Sequence, residues 1–97
     1  MYLGEEKVTK IDLSNNNIQK IENLVSLQNL TELNISHNLL RKLNGFDNIN
    51  NLRVLDLSYN FLENIQGLET MPLLDDLNLS HNKITDITPL KNNNNLM

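Results

Sequence analysis

Apolar residues recur along this chain with a strict period of 22 residues. If each unit is numbered from the residue equivalent to Leu30, apolar residues belong at positions 1, 4, 6, 11, 14, 17 and 20. The unit 30–51 shows the full set, which is Leu30, Leu33, Ile35, Leu40, Leu43, Phe46 and Ile49. Four such units give 28 slots, and Asn93 is the one slot that is not apolar. A period this strict indicates a protein built from stacked copies of one structural unit.

The spacing within a unit predicts its local structure. Positions 4 and 6 alternate with polar positions 3, 5 and 7, which is typical of a short strand with one buried face that ends near position 7. Positions 11, 14 and 17 are three residues apart, which favours a tight turn or a 3₁₀-like return segment. One unit cannot bury its apolar edge alone, so the units must stack as coils with parallel strands about 4.8 Å apart. The chain is therefore predicted to be an α/β repeat solenoid.

The period also divides the chain. Residues 1–7 form a short N-terminal segment, and the Asn-rich end 92–97 begins an incomplete fifth repeat. The repeats occupy 8–91 in four units, of which the last runs into that Asn-rich end: 8–29, 30–51, 52–73 and 74–95. Neither end supplies an obvious cap, so we expect a fragment of a longer repeat protein, a truncated gene product, or a chain that self-associates through its open ends.

Position 9 is always asparagine: Asn16, Asn38, Asn60 and Asn82. A side-chain amide has donors and an acceptor, which can satisfy backbone groups freed where the chain turns after the strand. Stacked asparagines are therefore predicted to form a structural ladder from coil to coil. Position 7 is always serine, and the same structural role is expected of it.

The unit Leu-x-x-Leu-x-Leu-Ser-x-Asn-x-Ile resembles a leucine-rich repeat of the 22-residue class, which is typified by the regulatory subunit of protein phosphatase 1. Similar units occur in outer-arm dynein light chain 1, in the spliceosomal A-prime protein and in bacterial internalins. The stretch Ile84-Thr85-Asp86-Ile87-Thr88-Pro89-Leu90 is especially internalin-like. The resemblance covers residues 8–92.

This resemblance implies a right-handed coil with a curved parallel β-sheet on its concave side and 3₁₀ or irregular segments on its convex side. It further implies a non-catalytic regulatory or scaffolding module, with the phosphatase catalytic subunit as the leading partner. The alternatives are a cytoskeletal or axonemal adaptor that binds a motor protein, and an internalin-type surface adhesion domain.

Apolar residues outside the core slots indicate where a partner would bind. Four of them belong to the second and third coils, namely Leu39, Val54, Tyr59 and Phe61. Val54 and Tyr59 are predicted on the sheet face, and Leu39 and Phe61 on the rim loop that follows the strands. Together they predict an exposed apolar patch of the kind that binds proteins. The alternative is that they are ordinary surface residues.

Position 8 forms a second column, Asn15, His37, Tyr59 and His81. This column predicts an aromatic ridge down the sheet face, which suits a protein contact because aromatic side chains dominate binding hot spots. A metal site is not expected, since His37 and His81 lie two coils apart, roughly 9.6 Å by the strand spacing, and the chain has no cysteine.

Charge narrows the class of partner. The net charge is −4 and the pI about 4.9, which argues against nucleic acid because nucleic acid requires a basic surface. The predicted sheet face carries Glu32, Asp56 and Asp76, with Asp12 and Asp75, against Lys10 and Arg53. A partner protein with a basic surface would be favoured. The alternative is that this sheet face is an ordinary polar surface in contact with water.

Other functions find no support in the sequence. Asp75 and Asp76 adjoin, but they are not expected to form a catalytic pair, and we find no catalytic, metal or cofactor motif. No apolar run reaches the roughly 18 residues of a membrane span. The absence of cysteine and of an N-terminal signal core favours a cytoplasmic or nuclear protein. Four strands of five residues offer a face of roughly 240 Å², whereas a standard interface needs about 800 Å² per partner, so the rim loops must contribute.

Overall fold

Four short parallel strands follow one another at a step of 22 residues and form one sheet. The computed structural model describes residues 8–21, 29–43, 49–68 and 71–86. The strands are β1 (Lys10–Asp12), β2 (Glu32–Asn34), β3 (Val54–Asp56) and β4 (Asp76–Asn78), and their order in the sheet is β1-β2-β3-β4. Each strand has one leucine or isoleucine at position 4, buried in β2 and β3 and half-buried in β1 and β4, which packs on the core between two more exposed residues.

The register makes each repeat position a straight column. Leu33 of β2 pairs with Ile11 of β1 and with Leu55 of β3, and Leu55 pairs in turn with Leu77 of β4. Every partner is 22 residues away, so side chains at one position of the repeat become neighbours in space. The chain is therefore a repeat solenoid with a parallel sheet.

The strands are shorter than the sequence predicted. They cover positions 3–5 rather than running to position 7, so the flat face is smaller than the five-residue estimate. Hydrogen bonds between coils nevertheless continue beyond the strands: the Ile35 N–H donates to the Asp56 carbonyl (2.9 Å), and the His37 N–H donates to that of Ser58 (3.0 Å). The chain then turns into the left-handed region at position 8.

The core contains every apolar slot of the repeat that lies in the described residues. In the middle coils these side chains are fully buried, as Leu33 and Leu55 show with exposed fractions of 2% and 1%. In the outer coils Ile21 and Leu74 are also buried. The other described slots of those coils are half-buried but pack on the same core: Val8, Ile11, Leu13, Ile18, Leu77, Leu79 and Ile84. Each fully buried leucine contributes about 1.5–3 kcal/mol relative to an exposed one.

The return segment of the third coil is wound in single turns. The N–H groups of Leu68, Met71 and Leu74 each donate to the carbonyl three residues earlier, at 3.3, 3.1 and 3.2 Å. This is the 3₁₀ pattern that the three-residue spacing of the apolar slots predicted. Gly67 has a φ of 115°, which a residue with a Cβ rarely adopts.

Both ends of the chain, 1–7 and 92–97, lie outside the described residues, so the predicted open ends stay a prediction. No helix in the described ranges has the length and apolar character needed to cross a membrane.

Candidate protein-recognition surface

The asparagine at position 9 ties each coil to the one before it. The Asn60 side-chain NH₂ donates to the carbonyls of Ile35 (2.9 Å), Leu57 (3.0 Å) and Ser58 (3.2 Å), of which Ile35 belongs to the preceding coil. Its Oδ1 accepts the N–H of Leu40, also in the preceding coil, at 3.0 Å. The side chain is 5% exposed, so it serves the fold and offers nothing to a partner.

The same bonds recur along the column. Asn38 and Asn82 donate to the preceding coil at the carbonyls of Leu13 (3.0 Å) and Leu57 (2.9 Å). Asn16 lies in the first coil, and its NH₂ donates within that coil to Leu13 (3.0 Å) and Ser14 (3.2 Å). The four amides thus form a ladder of hydrogen bonds through the turns.

Position 8 adopts a left-handed backbone in all four coils. The φ angles are 59° at Asn15, 57° at His37, 58° at Tyr59 and 59° at His81. Asparagine and histidine tolerate this region better than most residues, whereas a tyrosine there is an outlier. This column, which was predicted on the sheet face, lies at the turn that follows the strands.

The rings of this column stack on one another. The centroids of His37 and Tyr59 are 4.2 Å apart at an interplanar angle of 10°, and those of Tyr59 and His81 are 4.1 Å apart at 12°. Tyr59 stays 46% exposed. We call His37, Tyr59 and His81 the aromatic ladder. It presents a continuous row of ring edges to solvent.

Side chains at position 5 of the repeat accept hydrogen bonds from the serines at position 7. The Ser14 hydroxyl (2.6 Å) and N–H (2.9 Å) both donate to Asp12 Oδ1, and these bonds hold the pKa of that carboxyl below its usual range. Asp56 accepts the same two bonds from Ser58, at 2.7 and 3.0 Å. One oxygen of Asp56, a predicted contact residue, is therefore already engaged within its own coil.

Ion pairs neutralise part of the acidic face. Lys10 Nζ lies 3.0 Å from Glu32 Oε2, and an Arg53 guanidinium nitrogen lies 2.9 Å from Asp75 Oδ2. Both pairs are exposed, and such pairs contribute little to stability. Asp76 is exposed and forms no ion pair with any described residue. The negative charge available to a partner is thus concentrated at Asp76 and the free oxygen of Asp56.

The predicted apolar patch is divided between two depressions. Leu39 and Phe61 line one of them, on the rim. Val54 is half-buried and lines another, beside Glu32 and Arg53 at the entry to the sheet. Tyr59 lines neither of these two depressions and belongs to the aromatic ladder. The sequence pattern identified the apolar residues outside the core slots. It could not show that Val54 on the strand and Leu39 and Phe61 on the rim line different depressions.

No three side chains of histidine, aspartate or glutamate converge on a possible metal position in the described part of the chain. His37 and His81 are kept apart by the Tyr59 ring, which stacks between them.

Two features were missed in the sequence. Position 5 alternates between Asp and Asn in Asp12, Asn34, Asp56 and Asn78, and this strict column would have indicated a paired role with the serines. Gln19 and Arg41 share a depression with Leu39 and Phe61. Nothing in the repeat pattern distinguishes those two polar residues from other surface residues.

Family comparisons agree with this architecture. The family model described as "Leucine rich repeat" matches residues 6–62, and the one described as "Leucine Rich repeats (2 copies)" matches residues 50–92. The chain belongs to the leucine-rich repeat family. Domains of this family generally bind protein partners. The comparisons do not separate a phosphatase-regulatory class from other leucine-rich repeat proteins.

Solved leucine-rich repeat structures include two internalins of Listeria monocytogenes. Internalin C2 is 35% identical, with a TM-score of 0.79 over 87% of this chain and 37% of that protein. The internalin inlF is 23% identical, with a TM-score of 0.75 over 94% of this chain and 34% of that protein, and supports the fold alone. The chain thus spans little more than a third of the length of either. No curated protein matches the chain.

Proposed function

We propose that this leucine-rich repeat chain is a non-catalytic recognition module of internalin type, which binds a protein through the aromatic ladder and the acidic strand face beside it. The observation that carries the proposal is the exposed stack of His37, Tyr59 and His81 on left-handed backbone.

The backbone of Tyr59 supports a role in binding. A left-handed conformation costs roughly 1–2 kcal/mol for a residue with a Cβ. Asn15 makes the same turn in the first coil at a φ of 59°, so the fold does not require an aromatic residue there. Strain that folding does not explain is often found at binding sites. Stacking on both neighbours also fixes the tyrosine ring before a partner arrives, which lowers the entropy lost on binding.

The charge beside the ladder favours a basic partner. Glu32 and Asp75 are already paired with Lys10 and Arg53, so Asp76 is the acid that we expect to contribute most. Its exposed carboxylate would raise the association rate for a partner with lysine or arginine on its surface.

The internalin-type interpretation is supported by the 35% identity to internalin C2 over most of the chain. The phosphatase-regulatory and motor-adaptor interpretations depend on the consensus sequence of the repeat and stay predictions, as does the cytoplasmic or nuclear location. An adhesion domain would act outside the cell, so the site of action separates these interpretations.

The test compares wild-type protein with Tyr59→Asn and with Leu73→Asn. Leu73 is the matched control because it is equally exposed, at 44% against 46%, and lies in the return segment. Labelled protein is applied to intact animal cells, and the bound surface protein is cross-linked and identified by mass spectrometry. Phosphatase 1 catalytic subunit and axonemal dynein are tested in parallel as purified proteins.

We expect saturable binding to cells that Tyr59→Asn weakens at least tenfold and Leu73→Asn leaves unchanged. Equal binding by all three proteins would contradict the role of the aromatic ladder. Binding to the phosphatase or to dynein, with none to cells, would contradict the internalin-type proposal and support the corresponding alternative.

A further inference from the structure

A cavity on the rim has a chemical character different from the strand face. Its volume is about 530 Å³, and it is lined by Gln19, Leu39, Arg41 and Phe61. These residues come from three successive coils, at positions 10 and 12 of the repeat. Phe61 is 43% exposed and Leu39 is half-buried, so the cavity offers apolar surface to a ligand. Its size suits one large side chain with part of the backbone that carries it.

The cavity is also cationic. Arg41 is exposed and forms no ion pair with any described residue, and the Lys83 ammonium lies 6.0 Å from the centroid of the Phe61 ring. Gln19 occupies position 12 one coil before Arg41, and Glu63 occupies it one coil after. Glu63 is exposed and forms no described ion pair with Arg41. One cation, Arg41, thus lines an apolar depression in a chain of net charge −4, and a second, Lys83, lies near the Phe61 ring of its wall.

These groups define the chemistry of a ligand. A guanidinium binds a carboxylate through two parallel hydrogen bonds, and the Gln19 amide can donate a further one. Leu39 and Phe61 would take an apolar side chain, whose burial supplies most of the binding free energy. A basic ligand would be repelled by Arg41 and Lys83.

We propose that this cavity is a second recognition site, which binds a segment of a partner protein that carries a large apolar residue next to aspartate or glutamate. We call it the rim site. Its charge preference is opposite to that of the strand face, so the two surfaces select different segments. Tyr59 does not line the rim site, and failure of either proposal leaves the other standing.

The probe is a fluorescein-labelled peptide, Asp-Asp-Phe-Asp-Asp, with Asp-Asp-Gly-Asp-Asp and Lys-Lys-Phe-Lys-Lys as controls. Fluorescence anisotropy gives the dissociation constant, and ¹⁵N chemical shifts locate the bound peptide. We expect the phenylalanine-containing acidic peptide to bind most tightly and to shift the amides of Leu39, Arg41 and Phe61.

Three variants test the assignment. Arg41→Gln should weaken binding about tenfold, the effect of losing one charge-assisted contact. The matched control Lys42→Gln removes the same charge from the next residue, which does not line the cavity, and should change binding less than twofold. Glu63→Gln should strengthen binding, because it removes the acid that would repel the ligand.

Three results of the binding experiments would overturn the proposal. They are equal loss in Arg41→Gln and Lys42→Gln, equal affinity for the basic peptide, and shifts confined to residues outside the cavity. Sedimentation velocity supplies an independent check. A wild-type dimer that Arg41→Gln dissociates would mean that a second copy of this chain occupies the site, which also contradicts a partner segment. A monomer throughout supports the proposal.

Discussion

Replacement of Asn60 by alanine should destabilise the protein by an amount that the hydrogen-bond geometry allows us to estimate. The three carbonyls that receive the Asn60 NH₂ each keep another donor. Ile35 O still accepts from Asn38 (3.1 Å), Leu57 O from Asn82 (2.9 Å) and Ser58 O from the His37 N–H (3.0 Å). The Leu40 N–H, which donates to Asn60 Oδ1 at 3.0 Å, loses the one partner shown for it.

The cost therefore has two parts. An unsatisfied buried donor costs about 1–3 kcal/mol, and this applies in full to the Leu40 N–H. The lost carbonyl bonds cost less than their usual value because those oxygens remain partnered. We expect a total of about 3 kcal/mol for Asn60→Ala, set against the roughly 5–15 kcal/mol by which small domains are stable.

Asn16→Ala is the matched control, since Asn16 is exposed and its NH₂ bonds only its own coil. We expect it to cost less than about 1 kcal/mol. Urea unfolding followed by circular dichroism gives both free energies, provided that the slope m is unchanged. Equal costs for the two variants would contradict this estimate, because the bonds between coils would then contribute nothing beyond those within one coil.

The isosteric variant Asn60→Asp adds a pH dependence. A carboxylate there would face three carbonyl oxygens in a buried site, so its pKa in the folded protein would be raised above the unfolded value. The variant should be less stable than Asn60→Ala at pH 7 and should recover as the pH falls through the raised pKa. A stability difference that does not change with pH would contradict the burial of this side chain.

Three further predictions concern the core, a turn and an acid. Leu55→Ala, at a site 1% exposed, should cost about 3 kcal/mol in urea unfolding, and a cost below 1 kcal/mol would contradict its place in the core. Gly67→Ala should cost about 1–3 kcal/mol, because φ is 115° and the new Cβ would lie 3.1 Å from the Leu43 carbonyl oxygen; an unchanged unfolding midpoint would show that the turn differs. Ser14→Ala should raise the pKa of Asp12 only part of the way to its ordinary range, because the backbone N–H of residue 14 still donates to the carboxyl. A ¹³C NMR titration of Asp12 would measure this change. The depressed pKa of Asp12 stabilises the folded protein at neutral pH, and this contribution is lost as the pH falls below about 4. The Ser14→Ala variant should therefore lose less stability than wild type on acidification.

Most of the fold could be predicted from the sequence because the repeat is strict. The period places Leu33, Leu55 and Leu77 in one column, and the structure pairs them in register. The three-residue spacing after position 11 predicted the 3₁₀ pattern through Leu68 and Met71. Strand length was harder to predict, because polar residues at positions 5 and 7 suit both a strand and an Asx turn.

The candidate surface was less predictable, because backbone conformation decides it. In a continued strand, position 8 would point to the same side as the buried positions 4 and 6, yet a φ near 58° turns the chain there and Tyr59 stays exposed. The mixture of Asn15, His37 and His81 in that column was a signal for left-handed backbone, since these residue types favour it. The rim site depends on how three coils stack, which no single repeat contains.

Hydrogen–deuterium exchange of the complex with its partner would locate the recognition surface. If the aromatic ladder and the strand face bind the partner, amides in the turns 36–39, 58–61 and 80–83 should exchange more slowly in the complex, while those of the return segment 71–74 keep their rates. Slower exchange confined to that return segment, with unchanged rates in all three turns, would contradict the assignment of the recognition surface.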